Sequence, residues 1–303
     1  MQDSSDEVIK QILIQSDERQ IVLLCSTNKR FAHLCKNPDF MQGVYQQKVE
    51  NTISQEIIAL KPLNMSWKEF YIRIQAFQKR PRNMNSQATL GNLLELKLLI
   101  NMNPSTYLKN DMAANMAAWK GHMEVLQYLV SQGLLPTNRG ADLAAQDGHL
   151  DILRYLVSIG LTPSTTGANF TAENGHLAVL QYLETLGIRP NEGGADMAAG
   201  KGHLIILKYL DSLGVQPTKR AATLAAKNGH LETLKYLVSL GFRPTQFGID
   251  WATIFGHLEV VQYLVSLGMR PNRFSVNTAF MRSHTDVVNY FASLNPPILP
   301  YDQ

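Results

Sequence analysis

An all-α repeat solenoid preceded by a small helical module is the fold class this sequence predicts, and three observations carry the expectation. A Gly-His pair recurs every 27 residues, at Gly121/His122, Gly148/His149, Gly175/His176, Gly202/His203, Gly229/His230 and Gly256/His257, with Ser283/His284 in the same register. A tyrosine ladder (Tyr128, Tyr155, Tyr182, Tyr209, Tyr236, Tyr263, Tyr290) and a proline ladder (Pro136, Pro163, Pro190, Pro217, Pro244, Pro271) keep the same beat. Before residue 84 the beat is absent while short amphipathic stretches continue. Self-similarity at a fixed period marks stacked repeats, in which each unit leans only on its neighbours.

Taken in chain order, the first element is DEVIKQILI, where Val8, Ile9, Ile12 and Leu13 fall on one helical stripe. After a break at Gln15 to Asp17, apolar Ile21, Leu24, Phe31, Leu34 and Phe40 follow, with Asn28 placed to cap a helix and Pro38 to end or restart one. Residues 1–47 thus read as a helical module of three or four short helices, and 48–83, around Trp67, Phe70 and Tyr71, as a helical linker. A module of about 45 residues is marginal alone, so an unpaired apolar surface here implies a permanent partner or a cap on the repeats.

Eight copies of the repeat occupy residues 84–295, the earliest centred on Gly91 and Asn92, and residues 296–303 form a C-terminal tail. In HLDILRYLVSIG, apolar Leu150, Leu153, Leu156 and Val157 recur at helical spacing while Asp151 and Arg154 look outward. Gly160 supplies a left-handed C-cap. Each repeat proline is followed by an N-capping type, namely Thr137, Ser164, Asn191, Thr218, Thr245 and Asn272. A shorter helix then carries small residues such as Ala141, Ala144 and Ala145, which let a neighbouring backbone approach. Each unit is a pair of antiparallel helices, too short to stand alone and stable only when stacked. The last copy is atypical, with Ser283 and Asn295 at its glycine positions and NPPILP closing the run.

Composition narrows the function. The chain has 303 residues, 45% apolar and 17% charged, with a net charge of +3, so nucleic acid is not the expected partner. Cys25 and Cys35, the two cysteines, read as buried thiols in a reducing compartment. No apolar run is long enough to span a bilayer, and an intracellular, cytoplasmic protein is expected. Seven histidines at one interval do not make a zinc site, because equivalent atoms in successive units lie about 10 Å apart whereas zinc needs nitrogens about 2 Å away. Each histidine is instead expected to start a second helix and bond backbone in the turn. Asp142, Asp196 and Asp250 belong to a polar ladder with Asn115, Asn169, Thr223 and Asn277, so no isolated catalytic group, metal or cofactor is expected.

The pattern A-x-x-A-A-x-x-G-H-L-x-x-L-x-Y-L-x-S-x-G resembles the helices of the ankyrin repeat, shortened to 27 residues from about 33 by loss of the segment that forms the finger. The resemblance implies an ankyrin-like solenoid that binds proteins, with structural roles for the glycine and histidine. Asp6-Glu7-Val8, Ile12/Leu13, Leu23-Leu24-Cys25, Asn28-Lys29-Arg30-Phe31 and Asn37-Pro38-Asp39-Phe40 resemble an F-box, with Ser4-Ser5 where that family opens Leu-Pro and Met41 at its late tryptophan. This implies a Skp1-like adaptor held through Val8, Ile12, Leu13, Leu23, Leu24, Phe31 and Met41. The chain would then recruit a substrate to a ubiquitin ligase, as in ankyrin proteins of large DNA viruses, acting in the host-cell cytoplasm. The rival reading is a scaffold or competitive inhibitor without that link.

Within the repeats, identity information sits where copies differ. The residues before each Gly-His, notably Trp119, Lys120, Gln146, Asp147, Glu173, Lys201, Lys227, Ile254 and Phe255, are the expected partner contacts, since interfaces use aromatic anchors inside polar rims. Arg139, Lys219, Arg220, Arg243, Arg270 and Arg273 add a mildly basic edge suited to an acidic protein surface.

Overall fold

A computed structural model describes residues 4–79, 83–102, 111–294 and 296–300; the expected glycine replacement Asn295 lies outside the described residues. All the regular elements among them are helices, 22 in number. The chain divides into two compact units, one of residues 1–114 and 124–135, the other of 115–123 and 136–303.

The first unit begins with α1 (Ser4–Gln15), α2 (Glu18–Thr27), α3 (Lys29–Cys35) and α4 (Pro38–Glu50). Each boundary has a local chemical cause. Asp17 and Gln20 form a reciprocal capping box at α2, with Asp17 Oδ1 accepting from the Gln20 amide at 2.8 Å and Gln20 Oε1 accepting from the Asp17 amide at 2.9 Å. Asn28 caps α3 through the Arg30 and Phe31 amides, and Asn37 caps α4 with Pro38 in its first turn. Ile9, Leu13, Ile14, Ile21, Phe31, Leu34 and Val44 form the core of this helical group. Lys48, 4% exposed, donates its Nζ to the Ile14 carbonyl at 2.7 Å and to the Ser16 carbonyl, satisfying acceptors that the C-terminal end of α1 leaves open. Burial lowers its pKa, against the opposing pull of Glu18 and Asp17.

The cysteine expectation is corrected here: Cys25 and Cys35 are joined as a disulfide, with Cα atoms 6.0 Å apart. The turn at Asn28 folds α3 back on α2, and this brings residues ten apart in sequence within bridging range. Cysteine usage therefore no longer argues for a reducing compartment. The unit continues with α5 (Gln55–Ile58), α6 (Trp67–Lys79), α7 (Met84–Thr89) and α8 (Leu93–Met102).

Next in the chain come α9 (Asp111–Trp119) and α10 (Met123–Ser131). In the second unit, α11 (Asn138–Gln146), α13 (Thr165–Glu173), α15 (Glu192–Gly200), α17 (Lys219–Lys227), α19 (Gln246–Ile254) and α21 (Arg273–Met281) lie side by side as a row of first helices. The second helices are α12 (Leu150–Ser158), α14 (Leu177–Thr185), α16 (Leu204–Ser212), α18 (Leu231–Ser239), α20 (Leu258–Ser266) and α22 (Thr285–Ser293). Ala141, Ala144 and Ala145 are fully buried, as are Leu153 and Leu156, while Asp151 and Arg154 are exposed. Ile152 joins the core too, and Leu150 and Val157 are half-buried.

The polar ladder is a set of clamps between successive units. Asn115, Asp142, Asn169, Asp196, Thr223 and Asp250 each accept the backbone N–H of the residue 22 positions later, which is the N-cap of the next first helix, over 2.6 to 3.0 Å. Ser164, Asn191, Thr218 and Asn272 cap with their side chains as expected. Thr137 and Thr245 make no side-chain cap; their hydroxyls bond Asn115 and Thr223.

The histidines start the second helices and reach backward. His176, His230 and His257 bond the backbone carbonyls of Gln146, Gly200 and Lys227 respectively, thirty residues earlier. Each ring lies against the left-handed glycine of the preceding unit: a Cβ on Gly202, at φ +78°, would stand 2.6 Å from the His230 ring. Burial pushes the pKa of His176, His230 and His257 below the ordinary imidazole value. Ser283, at φ 61°, keeps the same left-handed turn without glycine.

Candidate binding surface

The first helices carry the variable chemistry. Three positions four residues apart, two in the helix and the third its C-cap, form one stripe on each of them: Arg139, Leu143 and Asp147 for α11; Thr166, Phe170 and Asn174 for α13; Gly193, Met197 and Lys201 for α15; Arg220, Leu224 and Asn228 for α17; Phe247, Trp251 and Phe255 for α19; Phe274, Thr278 and Arg282 for α21. Phe247 and Phe274 are 68% and 66% exposed, Trp251 and Phe255 both 38%, and Met281 72%. Trp251 and Phe255 stack on each other at 5.4 Å with 17° between ring planes. Lys227 lies over the Trp251 ring at 5.0 Å and Arg282 over the Phe255 ring at 5.6 Å.

Charge divides the second unit. Residues 138–201 hold four Lys or Arg against seven Asp or Glu, a net −3, whereas 219–282 hold eight against three, a net +5. Carboxylates at the corners of the former engage neighbouring cations: Asp147 pairs with Lys120 of the preceding repeat at 3.6 Å and Glu173 with Lys201 at 3.8 Å. Among the described residues, no carboxylate lies within 4 Å of the charged atoms of Lys219, Arg220, Lys227, Arg243, Arg270, Arg273 or Arg282.

The corner residues expected to meet a partner separate accordingly. Trp119 is half-buried under Lys120, whose Nζ stands 3.7 Å from the ring, and its indole N–H is buried without an acceptor among the described residues. The Gln146 carbonyl is occupied by Asn174 and His176, and Asp147 and Glu173 are taken up in ion pairs. Ile254 is 7% exposed and belongs to the interior, so it is corrected from contact to core. Lys201, Lys227 and Phe255 remain accessible in whole or part. Sequence reading missed Phe247, Trp251, Phe274 and Met281, although Phe247 and Phe274 break a column that otherwise reads Arg139, Thr166, Gly193 and Arg220.

In the first unit, four of the seven residues expected to hold an adaptor pack inward. Leu13 and Phe31 are core, and Leu24 and Met41 pack against it. Val8, Ile12 and Leu23 are exposed, as is Val22.

Among the described residues no group of three or more His, Cys, Asp or Glu is placed to hold a metal ion, and no helix is long and apolar enough to cross a membrane. Of the protein-family models, that of ankyrin repeats (three copies) matches residues 195–275. No curated protein matches the chain. Among solved structures, the chain is similar to the pentatricopeptide repeat protein PPR10 from maize, with 15% identity, a TM-score of 0.40, and coverage of 96% of this chain and 54% of that one. Two structures of PPR10 in complex with an 18-nt psaJ RNA element are matched at 12% identity and a TM-score of 0.33, covering 95% of this chain and 58% of theirs. The chain thus spans a little over half the length of these structures.

Two expectations are corrected by these findings. The ankyrin model covers only 195–275 and no curated protein matches the chain, so the assignment to viral ankyrin proteins with an F-box-like module, and with it the Skp1-like adaptor, does not stand. Nucleic acid can no longer be set aside as an unexpected partner, because the near-neutral charge of the whole chain hides a net +5 over residues 219–282. What stands is a repeat protein whose described elements are all helical.

Proposed function

We propose that the chain is a macromolecular-interaction scaffold that holds a protein partner on the first-helix face of its repeats. One observation carries this reading: residues 219–282 expose Phe247 and Phe274 among cations that have no carboxylate partner, whereas the equivalent positions of 138–201 are Arg139, Thr166 and Gly193, and the corner cation Lys201 there is paired with Glu173. Exposed aromatic anchors within a polar rim are the composition of protein interfaces, and Phe247 and Phe274, about two-thirds exposed, add little to the packing of the helices that bear them. The ladder of clamps and buried alanines supplies the rigid support such a face needs.

The test is affinity capture by the full-length chain from lysate treated with nuclease or with protease, beside a Phe247→Ala/Phe274→Ala variant whose helicity is checked by circular dichroism. The scaffold reading expects specific retention that survives nuclease, disappears with protease and weakens in the variant. Retention abolished by nuclease would replace it with a nucleic-acid-binding function.

A further inference from the structure

We infer that the stripe Phe247–Trp251–Phe255, framed by Lys227 and Arg282, takes an acidic peptide segment bearing an apolar side chain; this rests on the scaffold reading and names its partner chemistry. Along α19 the three rings lie one turn apart, so they present a continuous apolar strip about 12 Å long at a rise of 1.5 Å per residue. Its flanks are cationic on both sides, with Lys227 reaching over from the end of α17 and Arg282 from the end of α21. Arg220, Arg243, Arg270 and Arg273, all exposed, extend the positive field toward the starts of the same helices. A ligand that covers this surface must offer an apolar group in its middle and carboxylates at its edges, because cations desolvated without a counter-charge oppose binding.

Aromatic rings with cations also suit single-stranded nucleic acid, where bases stack on exposed ring faces. The geometry favours the peptide. Trp251 and Phe255 already lie against each other, and each has a cation over it, so a base would have to displace Lys227 or Arg282 to stack there. An aliphatic or aromatic side chain needs only the ring edges and the exposed Phe247, and its neighbouring carboxylates meet the cations where they stand.

The experiment is selection of a phage-displayed random dodecapeptide library on the full-length protein, followed by fluorescence anisotropy with the enriched peptides and with a single-stranded oligouridine. The expected peptides carry Asp or Glu around one large apolar residue, and bind about tenfold or more weakly to Arg273→Glu/Arg282→Glu and to Phe247→Ala/Trp251→Ala. The surface variant Lys201→Ala, outside the stripe, should change affinity less than about twofold. The charge-reversal pair replaces two exposed side chains, so it reports on binding even if removal of Trp251 disturbs the helix. Peptides without acidic bias, or unaffected by these variants, would overturn the inference. Peptides weakened instead by Lys201→Ala would overturn it while leaving the scaffold reading intact. Tighter binding of oligouridine, lost with Trp251, would overturn both, as would enrichment of nothing at all.

Discussion

Residues 138–201 and 219–282 are two versions of one object. Each contains three first helices and two second helices in the same register, and each uses the same clamps, glycines and histidines. They differ at solvent: one is net −3 with its corner cation Lys201 paired, the other net +5 with exposed rings and first-helix cations that have no carboxylate partner. A repeat array thereby separates its tasks by position. The periodic residues hold the fold, and the proposed recognition surface falls on residues free to vary without cost to the fold.

The strongest way to break this comparison is in the shared core. Leu153→Ala and Leu234→Ala remove equivalent, fully buried side chains from the two segments, and each should cost about 2–5 kcal/mol in chemical denaturation. If the segments are one architecture, the two losses agree within about 1 kcal/mol; a larger gap would show that their cores are not equivalent.

The glycine turns sharpen it further. Gly148 has φ +83° and a Cβ there would stand 2.6 Å from the His176 ring, while Gly160 has φ +86° with nothing within 4 Å. Gly160→Ala should cost about 1–2 kcal/mol from backbone conformation alone, and Gly148→Ala about 2–4 kcal/mol because the ring must also move. Equal losses would mean that the histidine contact adds nothing.

At the next level down, Asp196→Ala in the acidic segment strands the Thr218 amide and hydroxyl and should cost about 1–3 kcal/mol, against about 0.5–1.5 kcal/mol for Thr223→Ala in the basic one. Denaturation midpoints of the two variants distinguish a graded ladder from one in which every rung has the same weight.

The smallest effect is common to both segments. His176, His230 and His257 are held neutral by burial, so their folded pKa lies below the value of about 6.5 in an unfolded chain. The unfolded state then takes up protons first as pH falls, and the stability these groups contribute is full above that value and lost as pH drops toward their folded pKa. Unfolding free energies measured between pH 7.5 and 5 should decline with net proton uptake on unfolding. A flat profile would mean that the rings are solvated in both states.

How much was legible follows from what each residue answers to. The 27-residue beat, the helix pairs and the second-helix starts at the histidines all depend on contacts with the nearest units, so their spacing in sequence is their spacing in structure. The stripe on α19 was half legible. Phe255 stood out beside its Gly-His pair, whereas Phe247 and Trp251 lay inside a helix where an apolar residue reads as core. Ile254 failed in the opposite sense: it sits next to Phe255 in sequence, but the helix turns one residue by about 100°, which puts the two on different faces. The pairing of Cys25 with Cys35 was missed because composition carries no information about the turn that brings α3 back on α2.

The sequence by itself determined the repeat, its period, the helix pairing and the positions of the turns, since these are local and repeated and each copy confirms the others. Tertiary structure alone decided which polar groups meet across 22 and 30 residues, which rings face solvent and which cations lack a partner. Those properties belong to pairs of side chains brought together by stacking, and no single residue type announces them.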